Sequence, residues 1–193
     1  TNNLTTDRLQ VGQRLRILGQ LFPGDELSVF MALRNPATFI PAAWSLARQQ
    51  TLADFLGPVD PRALRRSELV ERMRAAAPGI GLVIWCNEDT PLLWSKILEL
   101  LAGGSVPGPM EGAHDLIETI MTPAGFTRLL SYLDSHPPAS ETQYRRVLSA
   151  FLDKYALREK IEEEFEIPGW DAPLIADLTE AYEADVDLIA GIE

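Results

Sequence analysis

Two short, nearly continuous apolar runs mark the first hundred residues, at positions 27–33 and 80–86. Runs of this length between turn residues predict strands that are buried on both faces of a parallel sheet. Each run leads through a polar turn into a helical pattern, the first opening at Pro36 and the second at Pro91. The pattern therefore predicts a repeated strand, turn and helix unit, which is typical of an α/β fold.

Further helices are predicted from their start and stop residues. An amphipathic helix begins near Asp7, and a short helix begins after Thr51. Another opens at Asp60-Pro61 with an interruption near Ser67.

The second half of the chain is predicted to be entirely helical. The glycine- and proline-rich stretch 105–113 indicates a loop and a change of organisation. Beyond it, Thr122, Ser140 and Asp171 are predicted helix N-caps, and residues 157–165 form a charged helix. We therefore predict two regions: an α/β core over residues 1–104, and a helical C-terminal region over residues 105–193 that packs on it.

Composition and charge exclude several classes of protein. The 193 residues carry 28 acidic and 17 basic side chains, and a net charge of −11 argues against nucleic-acid binding. Apolar runs are too short to span a membrane, and the N-terminus lacks a signal pattern, so a cytoplasmic location is predicted. The single cysteine, Cys86, excludes an intramolecular disulfide and is predicted to be a buried thiol. Oligomeric state is not set by the sequence.

Arg34 is the candidate binding residue. It follows the first predicted strand, and ligands of parallel α/β sheets bind beyond the C-terminal strand ends. A guanidinium offers a planar fork of donors that matches a phosphate group. A salt bridge to a carboxylate of a neighbouring loop is the alternative role for Arg34.

Two motifs carry a family resemblance. Residues 28–36, SVFMALRNP, followed by Phe39 and Trp44, resemble the strand, Arg-Asn/Asp-Pro turn and helix with which sulfotransferases hold the 3′-phosphate of 3′-phosphoadenosine 5′-phosphosulfate. Residues 82–89 and 97–103 are similar to the later strand, Glu-Asp turn and helix of that family. The motifs occur in the family's order, and the helical C-terminal region resembles the cap of bacterial members.

The resemblance implies a fold, a reaction and a cofactor. The fold would be a partial P-loop NTPase-like, three-layer parallel sheet of few strands, helix-rich and with a helical C-terminal cap. The reaction would transfer a sulfuryl group from 3′-phosphoadenosine 5′-phosphosulfate to a hydroxyl of a small-molecule or glycan acceptor, without a metal. Arg34 would bind the 3′-phosphate of this co-substrate.

The sequence also departs from the family pattern. The serine expected eight residues after the arginine is Ala42, and Ser45 is the nearest hydroxyl. No glycine is followed by lysine, so the family's phosphate-binding loop either lies upstream of Thr1 or has been lost. A non-catalytic binding or scaffolding protein of the same fold is therefore an alternative, and a helical adaptor that uses the residues after Ala113 is a third.

The catalytic base is unassigned. The histidines, His114 and His136, are predicted to be solvated, and Glu88 and Asp89 to cap a helix or pair with an arginine.

The remaining candidates have structural readings. The run Glu162-Glu163-Glu164 with Glu166 is predicted to be a solvated helix face and not a metal site. Trp170 is predicted to join the last helix to the core.

Overall fold

The computed structural model describes residues 7–47, 51–104, 110–161, 165 and 167–192. Within these ranges the strands β1 (Ser28–Leu33) and β2 (Gly81–Cys86) form one parallel sheet. Ser28 pairs with Gly81 at the start of the strands, and Leu33 pairs with Cys86 at their end. The helices are α1 (Asp7–Leu21), α2 (Pro36–Leu46), α3 (Leu52–Leu56), α4 (Ser67–Ala76), α5 (Thr90–Leu101), α6 (Asp115–Ile120), α7 (Pro123–Ser135), α8 (Glu141–Tyr155), α9 (Arg158–Ile161) and α10 (Ala172–Ala190).

The mixed, helix-rich α/β class is confirmed. The prediction of strands buried on both faces is wrong, because Leu33 is the only buried residue among those of β1 and β2. A described sheet of two strands leaves each strand with an unpaired edge, which explains the exposure. No described helix is both long enough and apolar enough to cross a bilayer.

Contacts group the chain into two compact units. The first comprises Thr1–Asn87 together with Phe165–Glu193, and the second comprises Glu88–Glu164. The division predicted at residue 104 stays a prediction, while α10 groups with the strands and not with the preceding helices. The order of the elements along the sequence does not indicate that the C-terminal residues contact the first unit.

The core of the first unit is built around a proline inside α2. Pro41 is fully buried and has no N–H, so the carbonyl of Ala37, four residues earlier, lacks its helical donor. The indole Nε1 of Trp170 donates to this carbonyl at 3.0 Å. Trp170 is 6% exposed and packs with Ile40 and Leu178, which confirms that it joins the C-terminal segment to the core.

Replacing Trp170 by phenylalanine removes this donor while keeping an aromatic ring. We expect a loss of about 2 kcal/mol in the free energy of unfolding, since a buried carbonyl is left without a partner. In a Pro41→Ala background, residue 41 supplies the missing helical N–H, and the same change is expected to have a smaller effect. Urea denaturation of the four variants measures this coupling, and purely additive effects would contradict it.

The second unit is a helical cluster tied together at one junction. Its core contains Ile117, Met121, Leu129 and Leu148. The amide of Thr122 donates to the carbonyl of Tyr155 at 2.9 Å, which fixes the start of α7 against the end of α8.

Candidate functional site

The turn after β1 is shaped by Asn35 and Pro36. Asn35 is the N-cap of α2, and its Oδ1 accepts a hydrogen bond from the amide of Ala37 at 2.9 Å. Pro36 occupies the first helical position, where its missing N–H has no consequence. The strand therefore ends at Leu33 and the helix begins at Pro36, with Arg34 and Asn35 between them.

Arg34 is half-buried and lies over the first turn of α2. One of its contacts is a hydrogen bond from Nε to the Thr38 hydroxyl at 3.2 Å. That hydroxyl in turn donates to the Asn35 carbonyl at 3.2 Å. The short chain of bonds orients the guanidinium plane from one edge, because Nε and the terminal nitrogens are coplanar.

The first turn of α2 has already used its backbone donors. The amide of Ala37 is bonded to the Asn35 side chain, and the amides of Thr38 and Phe39 donate to the Asn35 carbonyl at 3.1 and 2.8 Å. The helix therefore contributes its dipole to this end of the sheet, but an anion placed here must be held by side chains.

Helix α10 fixes this turn from the other end of the sequence. The hydroxyl of Tyr182, which is 8% exposed, donates to the Leu33 carbonyl at 3.0 Å. The Asn35 Nδ2 donates to the Thr179 hydroxyl at 3.0 Å. Sequence reasoning did not find Tyr182 or Thr179, since nothing in local periodicity indicates contacts across more than 140 residues. It also missed Thr38, which lies only four residues after Arg34.

Ser45 does not stand in for the absent hydroxyl at position 42. Its Oγ is exposed and donates to the Ala42 carbonyl at 2.7 Å, one turn back on the same helix. This intrahelical bond is a common use of serine inside a helix.

The parallel register brings the C-terminal ends of the two strands to the same end of the sheet. Leu33 pairs with Cys86, so Arg34 and Asn87 follow the strands at the same end. The Cys86 side chain is half-buried rather than buried as predicted, because β2 is an edge strand.

A cavity of about 700 Å³ lies against β2 in the first unit. It is lined by the end of β1, by β2, and by side chains of α4 and α10 that include Arg74 and Val186. Arg34 is not among its lining residues. The candidate phosphate-binding residue and this mainly apolar cavity are therefore separate features of the first unit.

The candidate base residues differ in their surroundings. His114 is half-buried, and its ring meets Tyr144 edge-on with the centroids 6.2 Å apart, so the prediction of a solvated His114 is wrong. Burial lowers the pKa of His114, and Asp115 opposes this shift. His136 is exposed as predicted and stacks on Tyr132 at 4.7 Å.

The structure describes two of the acidic candidates. Glu88 and Asp89 are exposed, and Asp89 stands at the N-cap of α5 without a side-chain capping bond. Residues Glu162-Glu163-Glu164 and Glu166 lie outside the described residues. Within the described ranges, His, Cys and acidic side chains form no group of three that could hold a metal ion.

Protein-family models, curated proteins and solved structures give no match to this chain.

Proposed function

We propose that the chain is a sulfotransferase-like protein in which Arg34 binds the 3′-phosphate of 3′-phosphoadenosine 5′-phosphosulfate. The observation that carries this proposal is the placement of Arg34 between a parallel strand and a proline-started helix. Charge at this position is permanent, and a guanidinium can form two parallel bonds to one phosphate. The proposal includes a P-loop NTPase-like fold and transfer of the sulfuryl group to an acceptor hydroxyl.

The turn that carries Arg34 is held in place by three hydrogen bonds. The Tyr182 hydroxyl donates to the Leu33 carbonyl, and the Asn35 side chain donates to the Thr179 hydroxyl and accepts from the Ala37 amide. Pre-organising the turn in this way reduces the entropy that ordering a ligand site would otherwise lose. Because the first amides of α2 are already bonded, the side chain of Arg34 would supply most of the affinity for the phosphate.

Two nucleotides that differ only in the 3′-phosphate test this role of Arg34. Adenosine 3′,5′-bisphosphate at 100 times its dissociation constant should stabilise the protein by about 2.7 kcal/mol, which raises the melting temperature by roughly 5–10 °C. Adenosine 5′-monophosphate lacks the 3′-phosphate and should bind about 10- to 100-fold more weakly. In Arg34→Gln, the two nucleotides should bind equally weakly.

Arg62→Gln is the matched control for this experiment. Arg62 lies in the same unit, is exposed, and pairs with Asp177 at 2.9 Å, so the change in charge is the same without a change at the turn. It should keep the preference for the bisphosphate. A wild-type protein that does not distinguish the two nucleotides, or an Arg34→Gln variant that still does, would contradict the proposal.

A second candidate, a nucleotide-binding protein of the same fold without transferase activity, is favoured by one observation. Position 42 has no hydroxyl, and the nearby Ser45 hydroxyl is bonded to its own helix. This candidate predicts the nucleotide preference described above, with no sulfuryl transfer to any acceptor hydroxyl. Release of adenosine 3′,5′-bisphosphate from the sulfate donor in the presence of acceptors separates the two.

A further inference from the structure

Two cations surround one phenol in the second unit. Arg128 Nη1 donates to the Tyr155 hydroxyl at 2.8 Å, and its guanidinium carbon lies 5.7 Å from the centroid of that ring. Lys154 Nζ lies 5.3 Å from the same centroid. Three polar groups of α7 and α8 thus meet at one place on the surface of this unit.

Neither cation has a carboxylate partner in the part of the chain that the structure describes. No carboxylate oxygen there lies within 4.0 Å of Arg128 or Lys154. By contrast, Arg145 on the same helix α8 pairs with Glu141 at 2.9 Å. In a protein with a net charge of −11, two adjacent cations without an internal carboxylate make a local site for an external anion.

Aromatic rings continue this site along the groove between α7 and α8. The Phe151 ring lies 5.9 Å from Tyr155 and 5.7 Å from Tyr132, and Tyr132 stacks on His136. The groove has a volume of about 530 Å³, within the range of small-molecule sites. One end of the groove is cationic and its wall is aromatic. An anionic group of a ligand would meet the cations, and an apolar ring of the same ligand would meet the aromatic wall.

Tyr155 is held in place by its neighbours. Its carbonyl accepts a hydrogen bond from the Thr122 amide at 2.9 Å. Its Cβ lies so close to Gly125 that no side chain would fit at position 125. The hydrogen bond from Arg128 lowers the pKa of Tyr155; burial opposes this, and Lys154 adds to the lowering. The surroundings of the phenol oxygen therefore favour negative charge at that point.

We propose that this groove binds a small aromatic anion, that is, a planar ring carrying one anionic group. Arg128, Lys154 and the Tyr155 hydroxyl hold the anionic group, and the ring packs against Phe151 and Tyr132. Arginine and lysine give charge-assisted hydrogen bonds to such a group, and offset aromatic rings attract one another. The inference does not rest on the nucleotide site at Arg34.

Two fluorinated probes that differ in charge test the inference. In ¹⁹F NMR titrations of the whole chain, 4-fluorobenzoate is expected to bind about tenfold more tightly than 4-fluorobenzyl alcohol. The combined Arg128→Gln and Lys154→Gln variant should lose this preference while still binding both rings weakly. Both side chains are exposed, so the variant should fold, and a far-UV circular dichroism spectrum checks this.

Arg145→Gln is the control, because it removes one positive charge of α8 at a residue that does not line the groove. It should keep the preference, whereas Tyr132→Leu should weaken binding of both probes by reducing the aromatic wall. Absence of binding by the wild type, equal binding of the two probes, or a preference that survives in the double variant would each overturn the inference.

Discussion

Replacing Gly125 by alanine is expected to lower the free energy of unfolding by about 3 kcal/mol. A Cβ at this position would overlap Cβ of Tyr155, and it would lie 2.6 Å from Cγ of Tyr155 and 2.9 Å from the Thr122 hydroxyl oxygen. A Cβ cannot rotate away, so α7 and α8 must separate at the junction where the Thr122 amide bonds to the Tyr155 carbonyl. Urea denaturation followed by circular dichroism measures the loss.

Gly19→Ala separates this steric effect from the intrinsic helix preference of alanine. Gly19 lies inside α1, and an added Cβ there would meet no atom within 4 Å. The change is expected to stabilise the protein by up to about 1 kcal/mol, since alanine favours the helix. A stable Gly125→Ala protein would show that the two helices are not in close contact at this point.

Asp185→Ala is expected to have a similarly large effect, a loss of about 4 kcal/mol. Asp185 is 2% exposed and accepts hydrogen bonds from the amides of Arg66 and Ser67 and from the Ser67 hydroxyl. Removing the carboxylate takes away an acceptor that three donors share at the buried start of α4. It also removes a negative charge from the positive end of the helix dipole.

Asp187→Ala is the matched control on the same helix. Asp187 is exposed near the C-terminal end of α10, where a negative charge gives no benefit from the helix dipole. Its removal should change the free energy of unfolding by less than about 0.5 kcal/mol. If both variants lose the same stability, the account of Asp185 as the cap of α4 is wrong.

Helix starts were predictable because their signals are local. Thr51, Thr122, Ser140 and Asp171 were predicted as N-caps, and each side chain accepts a hydrogen bond from an amide in the first turn of its helix. The interruption near Ser67 was also predicted, and the structure has a short 3₁₀ turn, Pro61–Ala63, before α4. A few neighbouring residues decide each of these features.

Features that depend on distant residues could not be read from the sequence. Arg66 is the N-cap of α4 but has no side-chain capping bond, and Asp185 supplies the acceptor from more than 110 residues away. The carbonyl that Pro41 leaves open is likewise filled by Trp170, 133 residues from Ala37. Trp170 and Asp185 thus complete elements of the first unit, although both follow the helices of the second unit in the sequence.

The candidate site was predictable only as far as its turn. The apolar run followed by Arg34, Asn35 and Pro36 predicted the strand end and the helix start that the structure shows, whereas the N-cap role of Asn35 was not predicted. Orientation of the guanidinium depends on Thr38, one helical turn further on. The rigidity of the turn depends on Thr179 and Tyr182 of α10. No pattern of residue spacing in the sequence indicates that α10 contacts this turn.

The most direct measurement is a crystal structure of the protein with adenosine 3′,5′-bisphosphate. Our account predicts that a guanidinium nitrogen of Arg34 lies about 2.7–2.9 Å from an oxygen of the 3′-phosphate. The turn from Leu33 to Thr38 should keep the conformation described here, since Tyr182 and Thr179 already hold it. A 3′-phosphate bound away from Arg34, with the arginine making only contacts within the protein, would contradict the account.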